Sequence, residues 1–336
     1  MAVPMIVEEP ERSEDQPARR ARPVIIDTDP GIDDAIALAL ACASPEIDLL
    51  GVTTVGGNTG IENTTGNALR VLHLFGRDDV PVASGAARAL VYSAELGDPS
   101  IHGQGGLGGV QLPLPSRGTD PRGAVGLMVD LVESSPEPVT LVAIGPLTNV
   151  ALFAATRPDV YAKLDRLVIM GGGVHLTGNH TPTGEFNIWF DPEAAARVFA
   201  AGVPVTMIGL DVTHKALFAG SDWAPLRGPE AGSIGRAIAG MVDFYGAFYL
   251  SEYGSDATAQ HDALAVAAVV KPELVTTHHC WVGVETAGQL TRGMTVADLK
   301  GVWKHEPNTH VALDVDVPGF IELLVGRIAG LDARLR

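Results

Sequence analysis

Four aspartates stand within eight positions, in the pattern Asp27-x-Asp29-Pro30-Gly31-x-Asp33-Asp34. The apolar run Val24-Ile25-Ile26 leads into them, and an Ala/Leu-rich segment follows at once. Carboxylates repel one another and resist burial, so four at a strand-to-helix junction call for something positive among them. A hard divalent cation, which takes oxygen ligands, answers that need. Pro30 and Gly31 force a tight turn. Asp33 and Asp34 then fall in the first helical turn, at the positive end of the helix dipole. Plain N-capping explains one such Asp, or two, but not four.

Other acidic motifs fit less well. An EF-hand loop needs Asp or Asn at its fifth position and Glu at its twelfth. Counted from Asp27, those places hold Gly31 and Leu38. A phosphatase of the haloacid-dehalogenase type also places D-x-D after a strand, followed by Gly-Thr or Gly-Val and a later Gly-Asp-x-x-x-Asp. Here Pro30-Gly31 follows and the later motif is absent. The first strand is not followed by G-x-G-x-x-G, which argues against dinucleotide binding.

The elements that position this cluster follow from alternating patterns. Short β-branched runs at 24–27, 49–54, 139–144, 167–170, 205–209 and 311–315 read as strands. Ala/Leu-rich segments at 33–43, 62–75, 147–155, 192–201, 234–253, 261–270 and 320–329 read as helices. Repeated strand–helix units predict an α/β fold: an open, mostly parallel, doubly wound sheet with helices on both faces. Such sheets carry their sites beyond the carboxyl ends of the strands, where the polar clusters of this chain fall. Residues 1–22 mix charge and proline and read as a disordered tail, leaving 23–336 as one domain. The Gly-rich stretch 93–118 reads as a mobile lid.

With 40 acidic and 23 basic residues the net charge is -17, which repels a phosphate backbone and argues against nucleic acid as partner. No apolar run reaches membrane-spanning length, and residues 1–22 lack a secretory h-region. Cys42 and Cys280 read as buried free thiols in a reducing, cytoplasmic compartment.

The D-x-D-P-G-x-D-D pattern resembles the fingerprint of the inosine-uridine-preferring nucleoside hydrolase family. Further matches follow in order: Gly56-Gly57-Asn58, Gly145-Pro146-Leu147-Thr148-Asn149, Met170-Gly171-Gly172-Gly173, Gly178-Asn179 with Glu185-Phe186-Asn187, Asp191-Pro192-Glu193-Ala194, and His261-Asp262-Ala263-Leu264. The stretch from Met170 to Asn179 runs one residue longer than in several members of that family.

The resemblance implies a calcium-dependent hydrolase that splits the N-glycosidic bond of ribonucleosides into free base and ribose, in nucleoside salvage. It implies one Ca2+ per subunit, with Asp29, Asp34 and Asp262 as carboxylate ligands and the backbone carbonyl of Ile144, or else Thr148, completing the protein set. About five protein oxygens, a water and two ribose hydroxyls would then give roughly eight ligands. Three carboxylates around a dication leave a net negative charge, which suits an oxocarbenium-like transition state. Asp29 is then the general base on the metal-held water. Asp33, Asn58, Asn179, Glu185 and Asn187 grip the ribose hydroxyls, since carboxylates and amides match a sugar's mixed donors and acceptors.

His261 is the expected acid for the departing base, with nearby carboxylates raising its pKa. Members specific for purines tend to carry Trp there, so His261 points to a broader or pyrimidine-leaning branch. His102, in His102-Gly103-x-x-Gly106-Leu107, resembles a family loop that closes over substrate. Tyr245, Tyr249 and Tyr253 share one helix face, and Tyr249 is the candidate to stack on the nucleobase. A homodimer or homotetramer is expected from the family's habit. A calcium-dependent ribonucleoside-binding protein without turnover is the alternative from another class, and retained Asp29 argues against it.

Overall fold

Along each central strand, successive side chains go to opposite faces. Val24 and Ile26 join one apolar cluster and Ile25 the other. Val142 and Ile144 against Leu141 and Ala143 repeat the division, as do Val168 and Met170 against Leu167 and Ile169. A sheet that is apolar on both faces needs helices on both, and a parallel sheet results. The computed structural model describes residues 20–92, 94–176 and 178–336. Most of the expected tail, residues 1–19, lies outside these, as do Ser93 and Thr177.

The strands are β1 (Arg22–Thr28), β2 (Ile47–Thr54), β3 (Val82–Ser84), β4 (Thr140–Ala143), β5 (Arg166–Met170), β6 (Val205–Ile208), β7 (Leu217–Phe218), β8 (Thr258–Ala259), β9 (Val275–Val284), β10 (Thr295–Asp298) and β11 (Thr309–Val315). Nine of them form one sheet in the order β10-β9-β11-β6-β5-β4-β1-β2-β3, and β7 and β8 pair separately. From β3 to β6 through β1, every pairing is parallel, as is β6 with β11. The β9 pairings with β10 and β11 are antiparallel. The chain winds outward from β1 through β2 to β3, then returns to the other side of β1 for β4, β5 and β6. The reversal lies between β1 and β4, where a doubly wound sheet opens its ligand crevice.

β1 starts at Arg22, whose N–H donates to the Glu46 carbonyl at 2.8 Å, so the strand begins one residue inside the stretch expected to be tail. β9 and β10 are absent from the sequence reading. β9 carries exposed Thr276, Thr277, His278 and His279, so it lacks the apolar signature of a buried strand. The helix Gly123–Ser134 also escapes that reading, because it opens without a side-chain cap. Helix Val317–Arg334 exceeds the expected 320–329, since Asp316 accepts the Gly319 N–H at 3.1 Å and starts it earlier. Cys42 is half-buried and Cys280 buried, both free, and burial pushes the Cys42 thiol up to about 12. Among the described residues no helix is long and apolar enough to cross a membrane.

Candidate active site

β1 ends at Thr28, the turn Asp29-Pro30-Gly31 follows, and helix Ile32–Ala43 starts at once. Its first turn carries Asp33 and Asp34. The Asp34 carboxylate, fully buried, accepts the Gly31 N–H (2.8 Å), the Asn58 Nδ2 (3.1 Å), the Asp29 N–H (3.3 Å) and the Thr28 hydroxyl. Asp262 comes from the first turn of helix His261–Val270 and lies within hydrogen-bonding reach of Asp34. Oxygens of Asp33, Asp34 and Asp262 converge within 4.8 Å of one another, all three side chains buried.

Asp29 flanks this trio. Its Oδ2 accepts the Asn58 N–H at 2.6 Å, while its Oδ1 is buried with no hydrogen-bond partner among the described residues. Asp33 Oδ1 is similarly orphaned. The glycines around Asp29 follow from close approach. A Cβ on Gly57 would stand 2.1 Å from Asp29 Oδ2, and one on Gly145 2.5 Å from Oδ1. Any larger residue at either place would evict the carboxylate.

Burial raises the carboxyl pKa values throughout this floor. Asp29 and Asp262 stand well above the usual range, each desolvated and each facing the charge of neighbouring aspartates. Asp33 and Asp34 are pushed to about 6, chiefly by burial. Asp27, behind them, is pushed to about 7 by burial, although Thr53 Oγ1 and Asn149 Nδ2 donate to its Oδ1. A cluster that resists ionisation, offers only oxygens and leaves two of them unpartnered fits a hard dication. It is a buried acidic group that can hold a metal.

The remaining expected sugar contacts divide into lining and scaffolding. Asn58, Asn179, Glu185 and Asn187 all border a cavity of about 160 Å3 above the floor, together with Asp33, Ile144, His102, Tyr249, His261 and Asp262. Glu185 is heavily committed. It caps helix Phe186–Phe190 by accepting the Asn187 and Ile188 N–H groups, and it also accepts the Gly172 N–H at 2.9 Å. Burial pushes it up to about 7 against those three bonds. Asn187 Nδ2 donates to the Ile144 carbonyl at 3.0 Å and to the Met170 carbonyl at 3.2 Å. The Ile144 oxygen retains a second lone pair. Asn179 is exposed, and its Oδ1 accepts the Phe186 N–H at 3.0 Å. Asn58 spends its amide on the Asp29 carbonyl and on Asp34.

The far wall is aromatic. His102 ends the short helix Pro99–His102 inside the stretch read as a lid, and it is buried there. Its Nδ1 accepts the Ile32 N–H at 3.2 Å, which places its proton on Nε2, and its ring stacks on Tyr245 at 5.7 Å. His261 Nδ1 meets Thr213 Oγ1 at 2.8 Å, and its Nε2 meets the Tyr249 hydroxyl at 3.4 Å. The expected rise of the His261 pKa does not occur. Burial, reinforced by His214 and His102, lowers it to about 3, so the resting ring is neutral. The Tyr249 hydroxyl meets His261 and also bonds Tyr245, whose ring it meets in a T-shaped arrangement, while Tyr253 is largely exposed.

Several contributors escaped sequence reasoning. His214, Phe248 and His180 line the cavity, and so does Tyr245, which the sequence placed on the tyrosine face without a role of its own. Asn149 joins Asp27 to the Thr54 carbonyl and the Ala86 N–H, and so fastens three segments under the floor. Asp191 caps helix Pro192–Phe199 and accepts Thr148 Oγ1 at 2.7 Å. The Asn in Gly-Pro-Leu-Thr-Asn and the Asp in Asp-Pro-Glu-Ala were the available signals.

Residues 24–322 match the family model described as inosine-uridine preferring nucleoside hydrolase. The chain belongs to that family. It is 46% identical to the pyrimidine-specific ribonucleoside hydrolase RihA of Citrobacter koseri, over 92% of this chain and 98% of the relative. It is 45% identical to the enzyme of that name from Photobacterium profundum, over 92% and 99%. Among solved structures, the purine-preferring ribonucleoside hydrolase of Gardnerella vaginalis superposes with a TM-score of 0.87 at 35% identity, covering 93% of this chain and 99% of that one. A plant nucleoside hydrolase gives the same TM-score at 34% identity, covering 92% and 99%. This nucleoside hydrolase therefore cleaves N-glycosidic bonds of ribonucleosides to free base and ribose, on the open α/β sheet its sequence predicts.

Proposed function

We propose that this nucleoside hydrolase prefers pyrimidine ribonucleosides and works with one Ca2+ held by Asp29, Asp34, Asp262 and the Ile144 carbonyl. The observation that carries the reading is the convergence of the buried Asp33, Asp34 and Asp262 carboxylates, two of which line the cavity with His261, and the unpartnered, buried Asp29 Oδ1 on the residue whose N–H Asp34 accepts. Purely oxygen donors favour a hard cation of the Ca2+ type. When bound, that ion would supply the charge that makes a neighbouring water easier to deprotonate and would anchor ribose hydroxyls.

The chain's own groups divide the remaining work. Asp29 Oδ1 takes a proton from the attacking water, and its burial raises its basicity. The surplus of negative carboxylates stabilises the positive charge that develops at C1′ and the ring oxygen as the C1′–N bond breaks. Asp33, Asn58, Asn179, Glu185 and Asn187 orient the sugar. The electron pair of the broken bond goes to the base. His261, neutral at rest, donates a hydrogen bond from Nε2 to that base, as a neutral imidazole can. The support for a pyrimidine preference is His261 itself and the two relatives near 46% identity. The purine-preferring neighbour is more distant, at 35%.

Measuring kcat/KM for uridine, cytidine, inosine and adenosine, with and without chelator, tests the reading. Uridine and cytidine should lead, and chelation should abolish turnover until Ca2+ is restored. Leading purines would overturn the preference; full activity in chelator would overturn the metal role. A cytoplasmic homodimer or homotetramer in nucleoside salvage completes the proposal, with size-exclusion light scattering as the test of assembly.

A further inference from the structure

The segment Leu210-Asp211-Val212-Thr213-His214 carries no part of the assigned chemistry, yet it touches the base end of the cavity twice. His214 lines it and meets His261 edge-on at 5.5 Å, and Thr213 reaches the back of the His261 ring. Thr213 is fully buried, and its hydroxyl has His261 Nδ1 as its hydrogen-bond partner at 2.8 Å. On the opposite side of the ring, Nε2 faces the Tyr249 hydroxyl at 3.4 Å, at the edge of the space where the base must lie.

We infer that Thr213 is a positioning residue for the base-release step: its hydroxyl pins Nδ1 and so aims Nε2 of His261 at the departing base. The inference rests on the role given to His261 above.

The physical case is one of orientation. An imidazole can turn about two side-chain bonds, and its two nitrogens are set apart by what each one meets. The short, 2.8 Å contact is at Nδ1, and the long one, 3.4 Å, is at Nε2. The ring is therefore held from behind and left loosely engaged in front, so a base can displace the Tyr249 contact without releasing the ring. A hydroxyl at Nδ1 donates to it when the ring carries its proton on Nε2, which is the form that can donate to a base.

Thr213 is itself well fixed. Its N–H donates to the Gly209 carbonyl, and the Leu210 N–H donates to the Gly172 carbonyl at 2.9 Å. Asp211 accepts the N–H groups of Val174, His175 and Leu176, which locks the same segment to the loop after β5.

The experiment compares Thr213→Val, Thr213→Ser and His261→Ala on uridine, inosine and p-nitrophenyl riboside, whose leaving group needs little help. Thr213→Val keeps the shape and removes the hydroxyl. It should lower kcat on the natural nucleosides about tenfold or more with KM within about twofold, and leave p-nitrophenyl riboside within about twofold. Thr213→Ser should restore the nucleoside rate. Adding Thr213→Val to His261→Ala should cost nothing further. Loss of both substrate types together in Thr213→Val, or no loss at all, overturns the inference, as does failure of Ser to rescue. If His261→Ala is selective for nucleosides while Thr213→Val is not, the inference alone falls. If His261→Ala hits all three substrates equally, the role of His261 falls and carries the inference with it.

Discussion

The two ends of the cavity are built on different terms. At the acidic end, Asp34 receives four donors drawn from β1, the turn after it and Asn58, and glycines at 57 and 145 are shaped around Asp29. At the aromatic end, each ring nitrogen of His261 has a single partner among the described residues, one of them at 3.4 Å, and Tyr253 is largely exposed. The floor is preorganised before any sugar arrives, which is what charge stabilisation in a transition state requires. The wall is packed ring on ring, and its loose point is His261 Nε2, whose 3.4 Å contact leaves a place for a base. On the proposed mechanism, one end sets the reaction and the other sets what is released.

The sharpest way to break this contrast is at Asp29. Asp29→Asn should lower kcat about a thousandfold or more while nucleoside binding persists, because the amide cannot take a proton. A loss of less than tenfold would remove Asp29 from the role of base.

The His261→Ala variant should come next. About a hundredfold loss on uridine with little change on p-nitrophenyl riboside would confine the effect to the wall.

Chelation should sharpen the contrast through stability. Asp33 and Asp34 are raised to about 6 and Asp27 to about 7 in the fold. Their folded pKa values exceed the unfolded ones, so the folded chain keeps protons that the unfolded chain has lost. Stability must then fall as pH rises from about 4 through about 7. Calorimetry in chelator should show Tm falling by roughly 5 °C or more between about pH 5 and 8, and Ca2+ should flatten that slope. A Tm independent of pH in chelator would contradict the burial of ionisable charge.

The smallest effect belongs to Tyr249→Phe, which removes the hydroxyl that meets His261 at 3.4 Å and also bonds Tyr245 and the Ala259 backbone. It should change kcat/KM by about threefold or less, and unequally between uridine and inosine. An equal change on both would argue that Tyr249 supports the wall without sensing the base.

Much of the floor was legible because strand ends announce themselves. An apolar run broken by Asp-x-Asp-Pro-Gly marks the end of a buried parallel strand, and the helix after it places two more carboxylates by its own geometry. The core strands were legible for the same reason. β9 was not, because its outer residues are polar and pair with β11 across a sequence gap that periodicity does not bridge. The division of labour among Asn58, Asn187 and Glu185 was also hidden. Residue type announces a hydrogen-bonding group, but whether it faces sugar or backbone depends on the fold around it, and here much of each is turned inward. The His261 pKa was misread in sign because sequence shows the neighbouring carboxylate, not the depth of burial.

Gly172 bears on any attempt to re-engineer this molecule. Its φ of +72° lets one residue turn its N–H toward Glu185 and its carbonyl toward Leu210. A designer who reshapes the pocket for a new nucleobase has to leave the Thr213 segment and its anchor at Gly172 in place. Any remodelling that shifts Gly172 will also disturb the carboxylate on its other side. That glycine ties the segment of Thr213 to Glu185, much as His102 ties the aromatic wall to the helix that carries Asp33 and Asp34.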